Sequence, residues 1–464
     1  MTSSSLEGTT VGMIPLGCPK NLIDAEIMLG RLAEAGAAVS FEPASSDVLI
    51  INSCGFIDPA KEEAIRTILA SHREREVSGR LRQQKIVVTG CLSQRYREDL
   101  PSLLPEVDLF LGLDEVDKIA EHVSHLLLRP EKSARRDAIS PDSRFLPDFS
   151  SPRFPLTPSH LAYVKIAEGC NHPCTFCIIP RIRGRFRSRS IASIVHEVEE
   201  LIARGVREVI LISQDSTYFG RDRLRNEKTA SSPTTDGTLA DLLLALDRIS
   251  GEFWIRVLYT HPAHWNDRLI EAFAAARKVV PYIDVPFQHI SDAVLRRMQR
   301  GTSEAQLREL LAALRQGIPG AAVRTTFLVG FPGESEDDFQ KLLQFVGEAR
   351  FERLGVFSYS QEEGTRSAGL EGQVSAAEKK RRWQELMARQ KEVVRSRAPE
   401  SIGRKIRVLV DFPGLARSAA DAPDVDGTVF VSPKLPPGSF ADVVIQGTSD
   451  YDLIAREAGR ARRA

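Results

Sequence analysis

Three cysteines, Cys18, Cys54 and Cys91, each fall within two residues of the end of a short apolar run, 36 and 37 residues apart. Gly12 to Leu16, Asp47 to Asn52 and Lys85 to Thr89 read as buried strands. The stretches after them read as helices starting near Asn21 and at Asp58-Pro59, where an acceptor side chain and a first-turn proline favour helix entry. Strands alternating with helices predict an open parallel α/β domain over residues 1–128. In such a sheet the carboxyl ends of neighbouring strands share one crevice. Three cysteines distant in sequence are therefore expected to converge. The alternative is three unrelated buried thiols, since free cysteine is among the most buried residue types, but the repeated strand-end placement favours a metal site.

A second trio is local. Cys170-Asn-His-Pro-Cys174-Thr-Phe-Cys177 follows an apolar run, and three thiolates on one loop can cap three corners of an iron-sulfur cubane, leaving one iron without a protein ligand. Such an iron can chelate the amino and carboxylate groups of S-adenosylmethionine (SAM). The alternative is a closed zinc site made by these cysteines with His172. In a chain of 464 residues, a disulfide framework is not expected, because such frameworks belong to small secreted domains.

Length predicts two or three domains. Six β-branched runs, 161–166, 208–213, 254–258, 282–286, 322–328 and 353–357, are separated by helical patterns. They predict a partial (βα)6 barrel within residues 159–398, its site at the carboxyl ends of the strands. Residues 129–158, with six prolines and no periodicity, read as a linker, and Gly220 to Thr238 as a surface insertion. A long charged helix, roughly Ala376 to Arg397, leads to residues 399–464, whose short alternating strands with Gly and Pro turns suggest a small all-β barrel. Five arginines from Arg181 to Arg189 follow the second trio; they could meet an acidic partner, set a cluster potential or form a solvated edge. No apolar run is long enough to span a bilayer and the start does not resemble a signal peptide, so a cytoplasmic protein without membrane contact is expected. Lys plus Arg and Asp plus Glu both number 62, which leaves no overall charge to draw the chain to nucleic acid.

These residues resemble the methylthiotransferases, a radical SAM family, over nearly the full length: a three-cysteine N-terminal domain, a radical SAM core and a C-terminal barrel of the TRAM type. Within it, Leu16-Gly17-Cys18-Pro19-Lys20-Asn21, Glu168-Gly169-Cys170-Asn171-His172 and Cys177-Ile178-Ile179-Pro180 are similar to the RimO branch, whereas the tRNA-modifying MiaB branch usually shows Gly-Cys-Gln-Met-Asn at the first position. The resemblance implies two [4Fe-4S] clusters and SAM. One SAM methylates a sulfur carried by the N-terminal cluster, and a second yields the radical that activates the substrate carbon, to which the methylthio group is added. In the RimO branch that carbon is the β carbon of an aspartate in protein twelve of the small ribosomal subunit, and the electron donor is a flavodoxin or ferredoxin. Val329-Gly330-Phe331-Pro332-Gly333-Glu334 is similar to the family's adenine-side segment. Gln214 and Gln288 stand where related enzymes touch the ribose or methionine part, and each could equally be a turn residue. No catalytic side chain beyond the cluster ligands is implied.

Charge offers a separate argument on substrate. Between Ile402 and Glu457 there are six basic and eight acidic residues. A barrel gripping tRNA should be basic, and an acidic one suits a basic ribosomal protein, unless the acids only solubilise the domain. RNA binding by this barrel is therefore not expected. A tRNA adenosine methylthiotransferase and an iron-sulfur carrier or scaffold are the alternatives to a protein-modifying enzyme.

Overall fold

The computed structural model describes residues 5–80, 83–128, 136–224 and 237–458. They divide into two compact units: Met1–Leu156, Ala167–His172 and Cys177–Arg189 in the first, and Thr157–Ile166, Pro173–Phe176 and Ser190–Ala464 in the second.

The first unit is built on six strands, β1 (Thr10–Pro15), β2 (Ala38–Ser40), β3 (Val48–Ser53), β4 (Lys85–Gly90), β5 (Leu109–Leu111) and β6 (Arg136–Ala138), in the order β2-β1-β3-β4-β5-β6. Every neighbouring pair is parallel. β3 is buried at all six positions, as expected of a parallel strand covered on both faces. On one face Leu49, Ile51, Ile86 and Val88 pack with Ala64 and Ile68 of the helix Asp58–Val77, each large side chain worth about 1.5–3 kcal/mol when fully buried. The helix Pro19–Glu34 begins two residues before the expected Asn21, with Cys18 as its cap and Pro19 in its first turn.

Part of the expected linker belongs to this unit. Residues 129–135 lie outside the described residues, but β6 adds a sixth strand to the sheet. The Asp114 carboxylate accepts from the Arg144 and Phe145 amides at 2.7 and 2.8 Å, and Glu26 accepts from the Leu156 amide at 2.9 Å. Lack of periodicity suggests a linker. Carboxylates of the α/β domain, half-buried Asp114 and buried Glu26, hold the irregular backbone instead.

In the second unit six strands match the six apolar runs: β7 (Leu161–Lys165) and, after the short pair β8 (Ala167–Glu168) and β9 (Arg187–Ser188) of the first unit, β10 (Glu208–Ile212), β11 (Trp254–Val257), β12 (Tyr282–Asp284), β13 (Ala322–Val329) and β14 (Arg353–Ser358). They form two parallel three-stranded sheets, β11-β10-β7 and β12-β13-β14, and backbone bonds from Ile255 to Lys278 and from Thr260 to Asp284 join β11 to the β12 segment. Most of the insertion expected at 220–238 lies outside the described residues. The charged helix runs from Ala376 to Ser401. It leads to a closed five-stranded barrel, β15 (Lys405–Phe412), β16 (Leu415–Ser418), β17 (Val429–Phe430), β18 (Phe440–Ser449) and β19 (Asp452–Glu457), in the order β15-β16-β17-β19-β18.

Strand β16 and the loop from it to β17 meet the amino ends of the (βα) strands through buried charges. Glu208, which opens β10, accepts from Arg256 at 2.7 Å and pairs with Arg417 at 2.6 Å. Arg353 pairs with Asp421. Tyr282 donates to Asp426, and Arg324 lies 3.6 Å from the same carboxylate. The small barrel thus covers the end of the (βα) strands opposite their carboxyl-end loops.

This arrangement corrects the charge argument. Asp411, Asp421 and Asp426 pair with Arg417, Arg353 and Arg324 rather than facing solvent. The exposed charges that remain are Arg404, Lys405, Arg407, Lys434 and Arg456 against Asp424, Asp442, Asp450 and Glu457. The barrel surface is not acidic, and its charge does not select a basic protein over RNA. Among the described residues no helix is long and apolar enough to cross a membrane.

Candidate active site

Cys18, Cys54 and Cys91 directly follow or lie just beyond β1, β3 and β4, three adjacent strands of the first unit. A Cβ placed on Gly17 would stand 2.8 Å from the Cys54 Cβ. Asn21, one turn into the helix behind Cys18, ties the three strand ends together. Its Nδ2 donates to the carbonyls of Leu16 and Ser53 at 3.1 and 3.0 Å, and its Oδ1 accepts from the Cys91 thiol at 3.4 Å. Asn52 returns a bond to the Asn21 carbonyl at 2.7 Å.

The electrostatics agree with convergence. Burial raises the Cys54 thiol above its ordinary range, and the Cys18 sulfur adds to the rise. Burial pushes the Cys91 thiol up to about 12; the Arg183 guanidinium opposes this, while Cys18 and Cys54 add to it. All three thiols are free. Cys54 and Cys91 are buried with Cys18 half-buried beside them, and three free sulfurs converging at one sheet edge are donors that a multivalent iron centre accommodates and a disulfide cannot. The residues therefore fit an iron-sulfur group.

Cys170, Cys174 and Cys177 stand on the irregular loop that follows β7 and β8 in sequence. In the first unit the Cys170 amide donates to the Gly184 carbonyl at 3.1 Å, and its sulfur accepts from the His172 amide at 3.5 Å. In the second unit Cys174 is 9 % exposed, and its sulfur accepts from Arg300 Nη1 at 3.6 Å. The neighbouring Thr175 is held by its amide and hydroxyl to the Met298 and Arg297 carbonyls. A sulfur with a guanidinium donor suits a ligating thiolate, whose charge such a bond stabilises.

The remaining sequence candidates occupy strand-end loops of the second unit. Gln214 follows β10, half-buried. Gln288 has φ 72°, a left-handed conformation uncommon for a non-glycine residue, and is bridged to β13 by its amide and carbonyl. Gly330 and Gly333 follow β13 with φ of 72° and 78°. Their amides bond to Glu334 and to the Gly372 carbonyl, so the turn itself accounts for both glycines. Sequence reasoning missed Arg300, 126 residues from Cys174, and Arg183, whose Nη2 reaches the Cys91 sulfur at 3.4 Å. The dense arginine run was a signal for the second, though not for which arginine turns inward.

Family comparisons agree with these three parts. Residues 10–112 match the Uncharacterized protein family UPF0004, residues 164–346 the Radical SAM superfamily and residues 402–457 the TRAM domain. The chain is 53% identical over 457 residues to the "Ribosomal protein uS12 methylthiotransferase RimO" of Opitutus terrae, covering 97% of each chain. It is 50% identical to the protein of that name from Akkermansia muciniphila, covering 96% of this chain and 99% of the other. Among solved structures, the radical SAM methyltransferase TsrM from Kitasatospora setae matches with a TM-score of 0.50 at 14% identity, over 75% of this chain and 73% of that one, a likeness of fold alone. The extent of the sequence identity, with cysteine trios on both the α/β sheet and the radical SAM loop, places this chain in the RimO family of radical SAM methylthiotransferases.

Proposed function

We propose that the protein adds a methylthio group to the β carbon of an aspartate in ribosomal protein uS12, using two [4Fe-4S] clusters, one on Cys18, Cys54 and Cys91 and one on Cys170, Cys174 and Cys177. Near-full-length identity to relatives named for that reaction carries the substrate, supported by Pro19-Lys20 beside Cys18. The convergence of three free thiols at adjacent strand ends supports the first cluster.

Bound on the second trio, an iron-sulfur cluster with SAM supplies the radical chemistry that an unactivated carbon requires, since such a carbon offers no acidic proton for a general base. The chain's own groups then have distinct tasks. Arg300 and the backbone anchors of Thr175 hold the Cys174 stretch of the loop, and Gln214, Gln288, Gly330 and Gly333 line the strand ends where SAM is proposed to lie. Asn21 keeps the first trio in register by gripping the carbonyls beside Cys18 and Cys54. A flavodoxin- or ferredoxin-type donor and a cytoplasmic location complete the reading.

The substrate is tested in a strain lacking the gene. Mass spectrometry of uS12 should show one methylthio mass missing, restored by the wild-type chain, whereas a methylthio group missing from tRNA adenosines instead would overturn the assignment. The clusters are tested separately. Replacing Cys91 by Ser should lower iron per chain by about half, as one cluster of two is lost, while SAM cleavage persists; unchanged iron would remove the first cluster.

A further inference from the structure

The five arginines after Cys177 divide by burial. Arg181 and Arg185 are exposed, whereas Arg183 is 2 % exposed. It ends the helix Ile179–Arg183, and Ile178 and Ile182 share an apolar cluster with Cys91 and Leu113. Packing of that short helix therefore delivers the guanidinium to the first cysteine trio.

Its bonds go beyond charge neutralisation. Nη1 donates to Glu168 at 2.9 Å, and Nη2 contacts Asp24 at 3.1 Å. Both of these contacts are with carboxylates. Nη2 nevertheless also reaches the Cys91 sulfur at 3.4 Å and the Asn21 Oδ1. Fixing Oδ1 as an acceptor turns Nδ2 of Asn21 toward the Leu16 and Ser53 carbonyls, the residues that adjoin the Cys18 and Cys54 strand ends. One side chain thus acts on all three cysteines, on Cys91 directly and on the others through Asn21.

We infer that Arg183 is a positioning residue of the Cys18, Cys54 and Cys91 site and sets the reduction potential of the iron-sulfur group held there; this rests on the reading that the trio holds such a group. Donors to ligating sulfurs and nearby positive charge stabilise the more negative, reduced state and so raise the potential. The residue that does this lies six positions after Cys177, on the segment that opens with the radical SAM loop.

The test uses the full chain with Cys170, Cys174 and Cys177 replaced by Ala, so that any cluster belongs to the first trio, and reads the midpoint by potentiometric titration followed by EPR. Arg183→Gln should shift the one-electron equilibrium toward the oxidised form about tenfold, about 59 mV, with Arg183→Lys, which keeps the charge but not the fork, in between. A purely structural role would change iron content or stability and leave the potential of the remaining cluster where it was. An unchanged midpoint in a variant that keeps its iron overturns the proposal, as does loss of iron from both variants. Absence of iron from the parent with Arg183 intact would instead overturn the cluster reading itself.

Discussion

Cys174→Ala should reduce reductive SAM cleavage by at least about a thousandfold, about 4 kcal/mol of lost barrier lowering, measured as 5'-deoxyadenosine formed by reconstituted protein with dithionite. Cys174 is the most buried of its trio: Cys170 and Cys177 are half-buried, while Cys174 is enclosed and faces the Arg300 guanidinium. Its removal leaves two thiolates for the cluster and a cation aimed at an empty position, and water has poor access to substitute. A Ser in its place should do little better, since an alkoxide is not formed there at neutral pH. The same assay separates an enzyme from an electron carrier. Wild-type protein that held its iron but formed no 5'-deoxyadenosine would remove the radical chemistry altogether, and cleavage surviving in Cys174→Ala would remove this loop from it.

Convergence of Cys18, Cys54 and Cys91 was legible because a parallel sheet converts sequence period into position: a cysteine at the same place after each of three strands must reach the same edge. The six strands of the (βα) portion were legible from short apolar runs rich in Val, Ile and Leu, too short for helices and separated by longer helical patterns. What stayed hidden lies in long-range pairings between polar side chains. No local pattern distinguishes the inward Arg183 from the exposed Arg181 and Arg185, because the difference is set by where Ile178 and Ile182 pack. Counting charges in the tail failed similarly. Asp421 and Asp426 look like surface acids until the β16–β17 loop is seen to carry them to Arg353 and Arg324. The segment before β7 reads as a linker because its backbone partners, Asp114 and Glu26, lie on distant helical segments.

The buried charges at the amino ends of the strands predict a large effect on stability. Glu208, Arg256 and Arg417 are nearly inaccessible to water, and the carboxylate is shared by the two guanidiniums. Glu208→Ala leaves two cations facing each other without their common partner. Removing one member of a buried pair typically costs about 3–5 kcal/mol, and that loss should appear in urea denaturation of the second unit's transition. Asp442→Ala, which breaks the exposed pair with Lys405, should change stability by less than about 1 kcal/mol. Acid should act through the same site. Burial alone would raise the Glu208 pKa, but Arg417 and Arg256 outweigh it and hold the carboxyl below its ordinary range. The unfolded chain therefore binds this proton first as pH falls. The contribution is complete above the ordinary glutamate pKa and declines below it, as pH approaches the lower folded value. Asp411 moves in the same direction, burial being overcome by His160 and Arg417, whereas burial raises Asp426 and gives it the opposite sign. Glu208→Gln should consequently be destabilised at neutral pH and lose less on acidification than the wild type. Equal acid slopes in the two proteins would show that Glu208 does not hold the small barrel against the strand ends through its charge.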